Sequence, residues 1–89
     1  MVRVTVLGSG DAFGSGGRAH SAYLVDAPGQ CFLVDCGPTV LQALKREGRD
    51  PGALDFVLVS HLHGDHFGGV PFLLMEYLYE APRTRPFTV

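Results

Sequence analysis

Phe56-Val57-Leu58-Val59 is an unbroken apolar run that stops at Ser60 and gives way to His61-Leu62-His63-Gly64-Asp65-His66. A run this short and this apolar reads as a strand, Asp55 to Ser60, covered on both faces, and such strands belong to layered folds in which helices pack on a sheet. Its end delivers three histidines and an aspartate within six positions, so the polar donors collect at one edge of the sheet.

The rest of the chain can be organised around that strand. Val2 to Gly8 is rich in β-branched residues, ends at Gly8-Ser9-Gly10 and reads as a buried strand. His20 to Asp26 and Cys31 to Cys36 are two apolar runs separated by Ala27-Pro28-Gly29-Gln30, the pattern of a β-hairpin. Thr39 and Gln42 have capping-box spacing, predicting a helix that runs to about Glu47 with Val40, Leu41 and Leu44 inward and Gly48 as its left-handed stop. Gly68-Gly69-Val70-Pro71 opens a second helix through Tyr79 that is apolar almost all round, more than a chain of 89 residues can easily bury. Phe87-Thr88-Val89 looks like the opening of a further strand.

Composition sets the outer bounds. With 46% hydrophobic and 18% charged residues and a net charge of −2, the chain is globular, of single-domain size, and without the basic field that draws nucleic acid or anionic membrane from a distance. No stretch approaches membrane-spanning length, and Met1 to Leu7 lacks a signal-peptide core, so a cytoplasmic location with no membrane partner is expected. Cys31 and Cys36, five apart in one predicted strand, point to opposite faces about 16 Å apart and should be reduced.

The histidine cluster carries the chemistry. Extended residues two apart point the same way, so His61 and His63 can aim both imidazoles into one site, and Gly64 would let the backbone turn to bring Asp65 and His66 to the same mouth. Four donors so arranged suit two neighbouring ions, His61 with His63 and Asp65 with His66, more easily than one tetrahedral ion. Surface histidines with no ligand role are the bland alternative, and a cluster placed where an apolar strand meets a glycine argues against it. His20 has no such company; it is read as structural or substrate-adjacent. Gly8-Ser9-Gly10 begins like a dinucleotide fingerprint, but Phe13 stands where the third glycine should be. Gly8 to Gly17 is therefore read as a flexible loop bordering the site, with Asp11 and Arg18 as weaker substrate-contact candidates.

Ser60-His61-Leu62-His63-Gly64-Asp65-His66 followed by Gly68-Gly69 resembles the signature of the metallo-β-lactamase fold superfamily. Val4 to Gly10 with Asp11-Ala12, then Arg18 and Ser21, then Leu33-Val34-Asp35-Cys36-Gly37, resemble the opening of its ribonuclease Z-like branch. The resemblance implies an α/β fold: the N-terminal half of an αββα sandwich over residues 1–89, incomplete, with a mixed sheet and two helices. It implies two divalent ions, zinc first and manganese as the alternative, with His61 and His63 on one, Asp65 and His66 on the other, and hydroxide supplied at the metal pair. Asp65 is then also the candidate catalytic residue, and Asp35 braces the histidine loop from behind.

The implied activity is hydrolysis of a phosphodiester, in RNA or a small molecule; the alternatives are another ester, a thioester, a sulfate ester or a lactam, or a fragment that binds metal and turns nothing over. No His or Asp follows His66, whereas the resemblance calls for further His and Asp ligands. The expected partner is therefore the C-terminal half of the same fold or, in a homodimer, a second copy.

Overall fold

The computed structural model describes all residues, 1–89. Four strands form one sheet: β1 (Arg3–Gly8), β2 (Ala22–Ala27), β3 (Gln30–Cys36) and β4 (Phe56–Leu58), side by side in chain order. The first two pairings are antiparallel and the third, β3 with β4, is parallel, so the sheet is mixed. Pro28-Gly29 turns the β2–β3 hairpin, and Gly29 supplies the positive φ of 75° that the turn requires. Parallel pairing needs a crossover, and α1 (Val40–Arg46) provides it between β3 and β4.

The core lies between one face of this sheet and the helices. Leu24, Leu33 and Val57 stand in register across β2, β3 and β4, each at most 2% exposed. Val40, Ala43 and Leu44 of α1 and Val70 and Leu73 of α3 (Val70–Met75) close over them. Tyr77, on the wider π-helical turn Glu76–Glu80 that continues α3, completes the layer and anchors it by donating its hydroxyl to the Pro51 carbonyl at 2.7 Å. Burial pushes the Tyr77 phenol up to about 12. Arg83 fastens the C-terminal segment to this layer. Its guanidinium sits over the Tyr77 and Phe87 rings, 5.1 and 5.0 Å from their centroids, and donates to the Gly52 and Pro86 carbonyls.

Several expectations need correction. β1 and β4 are covered on one face only: Val4, Val6 and Leu58 are 58%, 59% and 53% exposed, because nothing in the chain packs on that side. β4 is also shorter than Asp55 to Ser60, since its pairing with β3 stops at Leu58 and leaves Val59 and Ser60 irregular. Thr39 does not form a capping box. It precedes α1 but its hydroxyl accepts from the backbone N–H of His20 at 3.2 Å, while the Val40 N–H donates to the Gly37 carbonyl. Gly48 does end α1, at φ 70°.

The second helix is not continuous from Gly68. A single turn, α2 (Gly64–Phe67), precedes α3, and α3 buries one face while Phe72, Leu74, Met75, Leu78 and Tyr79 remain exposed. The last residues bear out the start of a further strand to the extent of one parallel bridge, Thr88 to Phe56, with the Val57 N–H donating to the Thr88 carbonyl at 3.0 Å. Both cysteines are free; Cys36 is fully buried, and burial pushes its thiol up to about 12.

Candidate metal centre

The site is assembled where β3 and β4 end side by side. Asp35, next to last in β3, is the one non-glycine residue with positive φ, at 60°. Aspartate tolerates this left-handed conformation better than most residues, and here the turn aims its carboxylate across at the residues following β4. Asp35 accepts from the Ser60 backbone N–H at 2.7 Å, from the Ser60 hydroxyl at 3.0 Å, and contacts His66 Nδ1 at 2.7 Å. Burial pushes its pKa up, but the Ser60 N–H, the His66 ring and the Ser60 hydroxyl outweigh that and hold the carboxyl below its usual range. The carboxylate therefore ties the histidine loop to the sheet at three points.

The loop itself turns by starting a helix. His63 occupies the N-cap position of α2 in extended backbone, and the His66 and Phe67 N–H groups donate back to its carbonyl. The turn expected at Gly64 does not use glycine's special freedom: its φ is not positive, and a Cβ there would meet nothing within 4 Å. The glycines that matter sit behind the loop. A Cβ on Gly37 would lie 2.5 Å from His20 Cβ and 2.7 Å from the Asp65 carbonyl oxygen, and one on Gly69 would lie 2.2 Å from the Gly37 carbonyl oxygen. Only bare backbone lets α2 close on the end of β3, a contact fixed by the Gly69 N–H donating to the Cys36 carbonyl at 2.9 Å.

The three imidazoles of the loop are gathered together. His61 lies 4.7 Å from His63 and 4.1 Å from His66, centroid to centroid, and Asp65 Oδ2 is 3.1 Å from His66 Nε2. His61 Nδ1 is 3.0 Å from the Ser60 hydroxyl, so Ser60 links the ring to Asp35. The sequence reading named Ser60, Gly37 and Thr39 in other connections but gave none of them a part in building the site; the Ser-His junction at the strand end was the one visible hint. No three His, Cys, Asp or Glu side chains are already arranged as a ligand set around a single point. The donor types nevertheless fit a divalent ion of zinc's borderline softness, and the Asp35 contact fits a histidine whose far nitrogen is presented to a metal.

The weaker candidates separate. His20 lines a cavity of about 520 Å³ together with Ala12, Pro38, His63, Gly64, Asp65 and Gly68. Asp11 is engaged locally: it accepts from the Phe13 and Ser15 N–H groups and, at 2.6 Å, from the Ser15 hydroxyl, which lowers its pKa. The loop read as flexible is thus clasped through Asp11 and includes a 3₁₀ turn, Ser15–Gly17. Arg18 is exposed beside Gly10 and is not among the cavity-lining residues.

The mixed sheet, with helices on one face and histidines at its strand ends, is that of metallo-β-lactamase fold proteins, of which this chain forms the N-terminal, ribonuclease Z-like part. Residues 2–88 match the family described as anti-Pycsar protein Apyc1, and the chain belongs to that family. Among curated relatives, ribonuclease Z of Aeropyrum pernix is 38% identical over 89 residues, which is 99% of this chain and 28% of that protein. Human zinc phosphodiesterase ELAC protein 1 is 41% identical over 71 residues, 80% of this chain and 20% of that one.

Among solved structures, the metallo-β-lactamase fold protein YhfI of Bacillus subtilis superposes with a TM-score of 0.81 at 32% identity, covering 98% of this chain and 36% of that one. Human tRNase Z, short form, gives 0.77 at 38% identity, covering 92% and 32%. The chain thus spans a fifth to somewhat over a quarter of the length of these curated relatives. No helix is long and apolar enough to cross a membrane.

Proposed function

We propose that this chain is the metal-binding N-terminal part of a metal-dependent hydrolase that acts on phosphodiester bonds through a two-ion, zinc-type centre. The observation that carries the reading is the placement of the His63 and His66 rings at 4.7 and 4.1 Å from that of His61, with His66 held from behind by a buried carboxylate. The relatives named as ribonuclease Z and zinc phosphodiesterase support the bond class and the metal. His61, His63, Asp65 and His66 would hold the ions, which when bound supply Lewis acidity and a nucleophile active at neutral pH. Asp35 and Ser60 fix the orientation of the rings, and Asp65 is positioned to set the charge at the mouth of the cavity.

The remaining ligands and the cover for the open sheet face belong, on this reading, to a C-terminal half of the same fold. Four donors split between two ions leave each with two, and two ligands hold zinc weakly. The 89-residue chain alone should therefore turn over bis-p-nitrophenyl phosphate poorly with added zinc or manganese, and a protein carrying both halves should recover activity. Turnover by the isolated chain near that of the two-half protein, abolished by Asp65→Ala, would overturn the half-site account and require a centre shared between copies.

A further inference from the structure

His20 has no place in the proposed metal centre, yet its surroundings are unusually specific. It precedes β2, bridges to Gly10 and is fixed by its own N–H donating to Thr39 Oγ1. Its Cβ packs over Gly37, against the same bare backbone that receives the Asp65 carbonyl, so the side chain is wedged beside the histidine loop. His20 lines the cavity of about 520 Å³ together with His63 and Asp65. Nδ1 is buried without a hydrogen-bond partner, the only such side-chain atom in the protein.

That orphaned atom favours one tautomer. A proton on Nδ1 would leave a buried N–H with no acceptor, which native structures avoid more strictly than an unfilled lone pair. The Nε2–H tautomer avoids that orphaned donor, and in it His20 offers one N–H from a backbone-fixed position beside the cavity. A hydrolase of phosphodiesters needs donors for phosphate oxygens that the metal ions do not engage, and donors held rigidly lose the least on binding.

We propose that His20 is a substrate-positioning residue, its Nε2–H donating to a phosphate oxygen bound in the cavity beside His63 and Asp65. This rests on the phosphodiester reading above, and the test separates the two. In the metal-loaded protein carrying both halves, His20→Gln places an amide N–H near the Nε2 position, whereas His20→Asn reaches only as far as Nδ1. Hydrolysis of bis-p-nitrophenyl phosphate should show KM raised about tenfold or more in His20→Asn, with kcat changed far less, and KM within about threefold of wild type in His20→Gln, because a lost hydrogen bond to a charged group is worth at least that.

Equal KM for wild type and a folded His20→Asn protein would overturn the assignment, and so would equal damage in both variants. An NMR titration with inorganic phosphate reads the same contact without turnover: the His20 Nε2–H resonance should move with saturation. Movement in a protein that hydrolyses nothing would keep the anion contact and reject the hydrolase reading. Absence of phosphate binding, or binding that leaves the His20 ring unmoved, would reject the contact itself.

Discussion

Along β2 and β3, residues alternate between a face where Leu24 and Leu33 are wholly buried and a face where Tyr23, Val25, Phe32 and Val34 are only half-covered. In sequence the half-covered face is, if anything, the more apolar, since Asp26 and Asp35 share the parity of Leu24 and Leu33. On the outer one, Val4 pairs with Val25, Val25 with Phe32 and Phe32 with Phe56, the last two stacked at 4.6 Å; Val6, Tyr23, Val34 and Leu58 form the next row. What separates the faces is only whether something packs on them: α1 and α3 cover the inner one, and no element of these 89 residues reaches the outer one. Alternation thus tells which residues share a face, and not which face is the core. An uncovered apolar sheet face of this extent marks an interface, which fits a second layer supplied from outside this segment.

The largest expected effect falls on the covered face. Leu33→Ala removes a fully buried side chain and should cost about 2–5 kcal/mol, enough to unfold much of so small a domain in urea titrations. Val4→Ala on the open face should cost less than about 1 kcal/mol in the isolated chain, since a side chain already in water has little burial to lose. The same Val4→Ala change should cost measurably more in a protein carrying both halves. Equal cost in both settings would break the assignment of that face as an interface.

Self-association is the next consequence. The open face, with Phe72, Leu74, Met75, Leu78 and Tyr79 on the helical side, should make the isolated chain associate at micromolar concentration in sedimentation. A well-behaved monomer there would show the faces to be less sticky than their exposure implies.

A smaller effect comes from Asp35→Asn, which keeps a residue tolerant of φ 60° while removing the charge that accepts from Ser60 and meets His66. About 1–3 kcal/mol should be lost in denaturant unfolding. Asp35→Ala, adding backbone strain to the loss of contacts, should be worse than Asp35→Asn. The reverse order would mean that tolerance of the left-handed turn contributes little at this position.

A last effect concerns pH. Burial holds the Cys36 thiol and Tyr77 phenol up to about 12, against ordinary values of 9.0 and 10.0. Between those limits the unfolded chain loses these protons first, so stability should fall as pH rises above about 9. Chemical denaturation at pH 8 and 11 should show that fall, and it should be shallower in Tyr77→Phe.

The strands, the hairpin and the histidine motif were legible because each depends on local pattern: alternation, a Pro-Gly turn and a dense donor cluster. What could not be read depends on contacts remote in sequence. Thr39 was expected to cap its own helix, and its hydroxyl is instead taken by the His20 N–H, 19 positions away. Gly64 was credited with a turn that helix initiation makes, while Gly37 and Gly69, which the packing of α2 on β3 needs bare, carried no local signal. Asp35 could be named by resemblance, but its left-handed backbone and its link through Ser60 to His61 appear only when β3 and β4 lie side by side.

The central claim, that the loop after β4 is a metal-binding mouth, is tested most directly by zinc. Titrating wild type and the His61→Ala/His63→Ala protein by calorimetry, with zinc content after dialysis as a check, compares a cluster of three rings with one ring beside Asp65. The account predicts zinc bound by the wild type, with loss of stoichiometry or at least a tenfold weaker affinity in the double variant. Equal stoichiometry and affinity in both proteins would contradict it.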